Sequence, residues 1–242
     1  MDAEQYQIMF EVERAHWWYR GIRRTMRALF RRYLAPGRAY RVLDAGCGTG
    51  GTTIDLADLG EVTGLDFSAE ALTYAQTRGL SRLVRGSIEQ LPFPDATVDV
   101  WTSFDVLYHR AVQDENVAFA EARRVLKPGG IAFFREPAFD WLRGAHDIGI
   151  HTERRFTVDE LAGEAAAAGF RIEHATYANA LLFPLALLKR SIDRFLPAAP
   201  ADLSIPPAPL NLLMEAVLSL EAPLVGRSRL PVGLSVLVAA RA

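Results

Sequence analysis

The sequence predicts an α/β fold built on a doubly wound, mainly parallel sheet. Three observations carry that reading. Short apolar runs alternate with amphipathic segments from Tyr40 onward, glycines and prolines punctuate their boundaries, and a glycine-rich loop stands between the first run and the first helix after it. The 242 residues suit one decorated domain, and with half of them hydrophobic and 23% charged the chain can bury a sizeable core.

The elements follow in order. Residues 41–45, 61–66, 82–86, 98–103 and 131–136 are short, apolar or β-branched and bounded by Gly, Pro or Asp, as buried strands are. Helices 49–59 and 69–78 end at Gly60 and Gly79, where a left-handed cap would sit, and Ser68 can cap the second. Helix 114–126 stops before Pro128. Thr157 and Glu160 have capping-box spacing ahead of a helix to residue 168, which Gly169 terminates before a strand at 170–177. A last strand is expected at 232–240. The segment before it is rich in Leu, Ala and Pro, with a Pro-rich break at 197–209. It is expected to form two helices over one end of the sheet or against a second subunit, as in a homodimer. At the other end, residues 4–34 are helical in period, and N-terminal helices are expected there. The expected organisation is an N-terminal helical lid (1–40), a binding core (41–179), a helical insertion (180–230) and a final core strand (231–242).

Composition excludes several classes. With 27 basic and 29 acidic residues, net charge −2, the chain has no global attraction for nucleic acid. The single cysteine, Cys47, cannot form an internal disulfide. The N-terminus lacks the basic start and apolar run of a secretory signal, so a cytoplasmic location is expected. The apolar stretch 180–188 is about half a bilayer span and contains Pro184, so no transmembrane segment is expected there.

The glycine loop is the strongest functional signal. Gly46, Gly48 and Gly51 satisfy a dinucleotide fingerprint, and Asp66 stands where a ribose-binding acid belongs. Asp44, two positions before the first glycine, would repel a diphosphate and suit a cation instead. S-adenosylmethionine (SAM) carries an ammonium and a sulfonium. Asp44 could attract that positive end, Gly46, Cys47 and Gly48 could admit the methionine and ribose portions, Asp66 could accept the ribose hydroxyls, and Phe67 offers an apolar face for adenine.

Four motifs together resemble the class I SAM-dependent methyltransferases: Asp44-Ala45-Gly46-Cys47-Gly48-Thr49-Gly50, Gly64-Leu65-Asp66-Phe67-Ser68, the loop 86–93, and Leu126-Lys127-Pro128-Gly129-Gly130. The resemblance spans residues 41–136. It implies a Rossmann-like seven-stranded sheet whose last strand is antiparallel and inserted between the fifth and sixth. It also implies SAM as cofactor, with adenine contacts from Ser87 and Ile88, since the acid that often follows Gly86 in the family is Ser87 here. The flanking segments 16–24, 151–157 and 230–235 look like a bacterial branch acting on small molecules.

Methyl transfer requires alignment of donor and nucleophile more than a strong base. The resemblance places Phe104 against the methionine arm, and Asp105, Tyr108 and His109 at the acceptor, with His109 the preferred base and Asp105 the second catalytic candidate. His109 could equally hydrogen-bond a neighbouring helix. Glu136, His146, His151 and Arg154 lie on a segment crossing the same sheet end, where substrate-binding groups cluster. Their spacing does not suggest a metal site. In the cluster 16–20, Trp18 could meet substrate, Tyr19 could approach the sulfonium, and Arg20 could pair with the methionine carboxylate, unless the aromatics are core. The arginines and aromatics of 17–33 could also meet a membrane surface.

The sequence reading is a small-molecule methyltransferase, O-directed and acting on a natural-product, sugar or lipid-linked acceptor. A SAM-binding protein without methyl transfer shares its motifs. A nicotinamide-dependent oxidoreductase shares its loop but has no use for Asp44.

Overall fold

The computed structural model describes residues 3–144, 147, 149–193 and 204–242; His146 and much of the Pro-rich break lie outside them. The chain opens with α1 (Ala3–Val12) and α2 (Trp17–Tyr33). These are the N-terminal helices expected over residues 4–34. The chain turns at residues 13–16, and the His16 ring caps α2 by accepting the Trp18 N–H on Nδ1 at 3.2 Å. There follow β1 (Tyr40–Ala45), α3 (Gly51–Leu56), β2 (Gly60–Asp66), α4 (Ala69–Thr77), β3 (Leu83–Arg85), β4 (Val98–Phe104), α5 (Glu115–Val125) and β5 (Leu126–Pro137). The remainder comprises α6 (Val158–Ala167), β6 (Arg171–Ala178), α7 (Phe183–Asp193), α8 (Ala208–Val225) and β7 (Ser235–Arg241).

The strands form one sheet of order β3-β2-β1-β4-β5-β7-β6. β7 runs antiparallel to both β5 and β6, and the other neighbours are parallel. Alternation along each strand sends Val42, Val100, Phe133 and Leu237 to one face, against Met26 and Leu29 of α2 and Val225 of α8. Leu43, Trp101, Phe134 and Val238 go to the other, against Phe119 of α5 and Leu161 of α6. Both faces are covered, which is why the central strands read as largely apolar, β-branched runs without strict alternation.

Local chemistry fixes the boundaries. Ser68 Oγ accepts the Ala71 N–H at 3.2 Å, and both halves of the Thr157–Glu160 capping box are formed. At Gly60, φ is +140°, and a Cβ there would lie 2.3 Å from the Tyr40 carbonyl oxygen, so only glycine permits β2 to start beside β1. The order reverses between β2-β1 and β4, which opens a crevice at the carboxyl ends of these strands.

Candidate functional site

A cavity of ≈ 260 Å³ occupies that crevice. Its lining brings together Trp18, Tyr19, Asp44, Gly46, Cys47, Gly48, Asp66, Phe67, Ser87, Ile88, Phe104, Asp105, Tyr108 and His109 from residues singled out by the sequence. The β1–α3 loop forms one wall. Gly46, at φ +84°, turns the chain where a Cβ would strike the Val106 side chain 2.2 Å away. Asp66, at the end of β2, accepts the Gly48 N–H and the Ser68 N–H, each at 2.8 Å, and so ties the loop to the second strand. Burial raises its pKa. Each of its oxygens retains a further lone pair for a ligand hydroxyl.

Asp44 is buried at the end of β1. Its oxygens accept the hydroxyls of Thr53 at 2.6 Å and Thr102 at 2.8 Å. Burial nevertheless pushes its pKa up to about 6. Cys47 is buried and its thiol is held well above the ordinary range by that burial, so it packs the loop and supplies no thiolate. Phe67 is 65% exposed and leaves an apolar ring at the mouth. Ser87 Oγ accepts the Glu89 N–H at 3.1 Å.

The opposite wall comes from the ends of β4 and β5. Asp105 adopts φ +59° and forms an ion pair with the buried Arg135. His109 Nδ1 accepts the Ala111 N–H at 3.0 Å, which leaves the proton of the neutral ring on Nε2. Burial pushes its pKa down to about 4. At neutral pH His109 is therefore a hydrogen-bond donor, which opposes the expected role as base. Burial likewise keeps the Tyr19 and Tyr108 phenols protonated.

Four expected contacts lie elsewhere. Arg20 Nε pairs with the buried Glu215 of α8 at 3.0 Å and does not reach the cavity. Glu136 is wholly buried behind the wall, where it accepts the backbone N–H groups of Val106, Leu107 and Tyr108 at 3.0–3.2 Å. His151 packs its ring 5.8 Å from that of His109 without lining the cavity. Arg154 pairs with Glu115 and Glu164 and lies over the Phe156 ring. His146 is outside the described residues. Among the described residues no group of three or more His, Cys, Asp or Glu is placed to hold a metal ion.

Sequence reasoning missed Glu13, Arg135 and the α1 side chains Gln5, Tyr6 and Met9, which close the cavity. Glu13 accepts the Thr49 hydroxyl and an Arg78 guanidinium N–H, which latches the N-terminal arm to the glycine loop. No local motif marks it. Arg135 did carry a signal, as a lone cation inside an apolar strand run.

The donor set fits SAM. Four carboxylates, of Glu13, Asp44, Asp66 and Asp105, line the cavity against one guanidinium, that of Arg135, so the site favours a cation and disfavours a diphosphate. A sheet of this order with an acidic, glycine-looped crevice at its switch point defines a nucleoside-binding α/β protein with a cationic ligand. Residues 43–134 match the family model described as a methyltransferase domain. A malonyl-acyl-carrier-protein O-methyltransferase of Enterobacter lignolyticus is 36% identical over 174 residues, 68% of this chain and 67% of that one. A sterol 24-C-methyltransferase of Gibberella zeae is 34% identical over 151 residues, 58% of this chain and 38% of that one. The chain thus spans 38% to 67% of the length of these two relatives. A SAM-dependent methyltransferase structure from Thermotoga maritima shares the fold, with TM-score 0.61 and 19% identity over 98% of this chain and 94% of that one. The chain belongs to the SAM-dependent methyltransferase family.

Proposed function

We propose that the protein transfers the methyl group of SAM to a hydroxyl oxygen of an uncharged, largely apolar small molecule. The lining of the cavity beyond the glycine loop carries this reading. Trp18, Tyr108, Val112 and Ile150 line the cavity together with the Asp105 carboxylate, while the acidic balance of the whole cavity repels an anionic acceptor. The sterol 24-C-methyltransferase named above is a relative with a largely apolar acceptor, although its methyl goes to carbon.

When bound, SAM supplies an electrophilic methyl group on a positively charged sulfur. Asp66 and the glycine loop hold the ribose side, Phe67 and Ile88 the adenine, and Asp44 the positive end. Asp105 accepts the proton of the acceptor hydroxyl, Arg135 fixes the carboxylate, and His109 Nε2–H donates to the acceptor. Helix α1 and the start of α2 act as the lid that excludes water.

The test uses isotopically methyl-labelled SAM with three acceptors of equal chain length: a phenol, a fatty acid and an amine. Labelled methyl on the phenol, falling about 100-fold in Asp105→Asn, is expected. Preferential labelling of the acid or the amine overturns the reading.

A further inference from the structure

Helices α7 and α8 carry apolar faces that point outward. On α8, Leu213, Leu220 and Leu224 are 59%, 71% and 52% exposed and recur at helical spacing. Leu181, just before α7, continues through Leu185, Leu188 and Ile192 as an exposed stripe spaced i, i+4, i+7, i+11. The polar side chains of α8 turn the other way: Asn211, Glu215 and Glu221 are buried. The buried side also holds Leu218, Ala222 and Val225, so α8 is apolar on both sides and its charged side chains are confined to the inner one, unlike a soluble surface helix.

Those buried groups hold α8 in place. Glu215 pairs with Arg20 and Arg24 of α2, and Glu221 accepts the Leu181 N–H at 3.0 Å. By length and composition α8 could cross a membrane, yet crossing would strip these carboxylates of their partners. A helix pinned this way lies on a surface. The charge around it selects the surface. Lys189, Arg227 and Arg229 are exposed, and among the described side chains of the two helices none is an exposed acid, although the chain as a whole has net charge −2. A second copy of the chain would bring the same cations against themselves.

We propose that the outward faces of α7 and α8 dock the protein on an anionic lipid bilayer, apolar side chains inserted and cations at the headgroups. The docking helix adjoins the cavity: Asn211 of α8 accepts the Trp17 N–H at 2.9 Å and donates to the Ala15 carbonyl at 3.0 Å, and the next residue, Trp18, lines the cavity. The proposal does not depend on which acceptor is methylated.

The test is cosedimentation of the full chain with vesicles of phosphatidylcholine alone or mixed equally with phosphatidylglycerol. Binding to the mixed vesicles is expected, about fivefold weaker for each cation removed in Arg227→Gln and Arg229→Gln. Leu213→Glu/Leu220→Glu should lose vesicle binding while SAM affinity stays unchanged. Leu185→Glu/Leu188→Glu serves as the second variant should the first melt early. Absence of wild-type binding, or equal binding by folded variants of both pairs, overturns the proposal. So does a lipid-free dimer in sedimentation equilibrium that the same substitutions dissolve.

Discussion

Asp105 at the end of β4 and Arg135 near the end of β5 are joined twice, by an ion pair between their side chains and by the Asp105 N–H donating to the Arg135 carbonyl at 2.7 Å. The left-handed backbone of Asp105 is unfavourable by about 1 kcal/mol or more for a residue with a Cβ. Strain held in place by its neighbour, on a carboxylate in the cavity wall, fits a residue that handles the acceptor. Asp105→Asn should lower turnover about 100-fold and leave SAM affinity within threefold, as read by steady-state rates and calorimetry.

Asp44 links cofactor affinity to pH. Its folded pKa of about 6 lies above the ordinary carboxylate value because the group is buried. A cationic ligand needs the ionised form, so SAM affinity should fall about tenfold per pH unit below 6. Asp44→Asn should flatten that profile at a lower overall affinity. The unliganded fold should respond in the opposite direction. Between the ordinary value and 6 the native state binds more protons than the unfolded one, so the contribution of Asp44 to stability declines as pH rises through that window. Calorimetry and thermal melts from pH 4 to 8 read the two trends separately.

Glu136 clamps the loop that carries Tyr108 and His109. Burial pushes its pKa up to about 8 while three backbone N–H groups oppose that rise. Glu136→Ala leaves those donors without their acceptor and should destabilise the protein by about 3 kcal/mol. Its contribution to stability should fall as pH rises from about 4.5 to 8, and Glu136→Gln should remove that dependence in denaturant titrations across the range.

Arg20 distinguishes a structural cation from a cofactor ligand. Because it faces Glu215, Arg20→Ala should lower stability by about 2 kcal/mol, softened by the remaining Arg24, with unchanged SAM affinity. Weakened SAM binding with unaltered melting would return Arg20 to the cofactor.

Much of the fold and one half of the site were legible in the sequence. Strands β1, β2, β4 and β5 announce themselves as short, largely apolar or β-branched runs, and Asp44 and Asp66 at strand ends with Gly46 and Gly48 in the loop after β1 fall where such a pattern locates them. The N-terminal helices were legible from their period, but the position of the turn between them was not, since it rests on a His16 cap. Glu13 reaches the cavity through tertiary packing with no local motif to mark it, whereas Arg135 was marked as a lone cation in an apolar run. Arg20, Glu136 and Arg154 had the right chemistry, but partners distant in sequence, Glu215, the 106–108 backbone and Glu115, claim them.

The most direct test of the account is calorimetric titration of the wild-type chain and Asp66→Asn with SAM, with NADH as control. Saturable one-to-one binding of SAM, weakened at least tenfold by the substitution and absent for NADH, is the expected result. Binding of NADH in place of SAM, or SAM binding indifferent to Asp66, would contradict the assignment of this cavity.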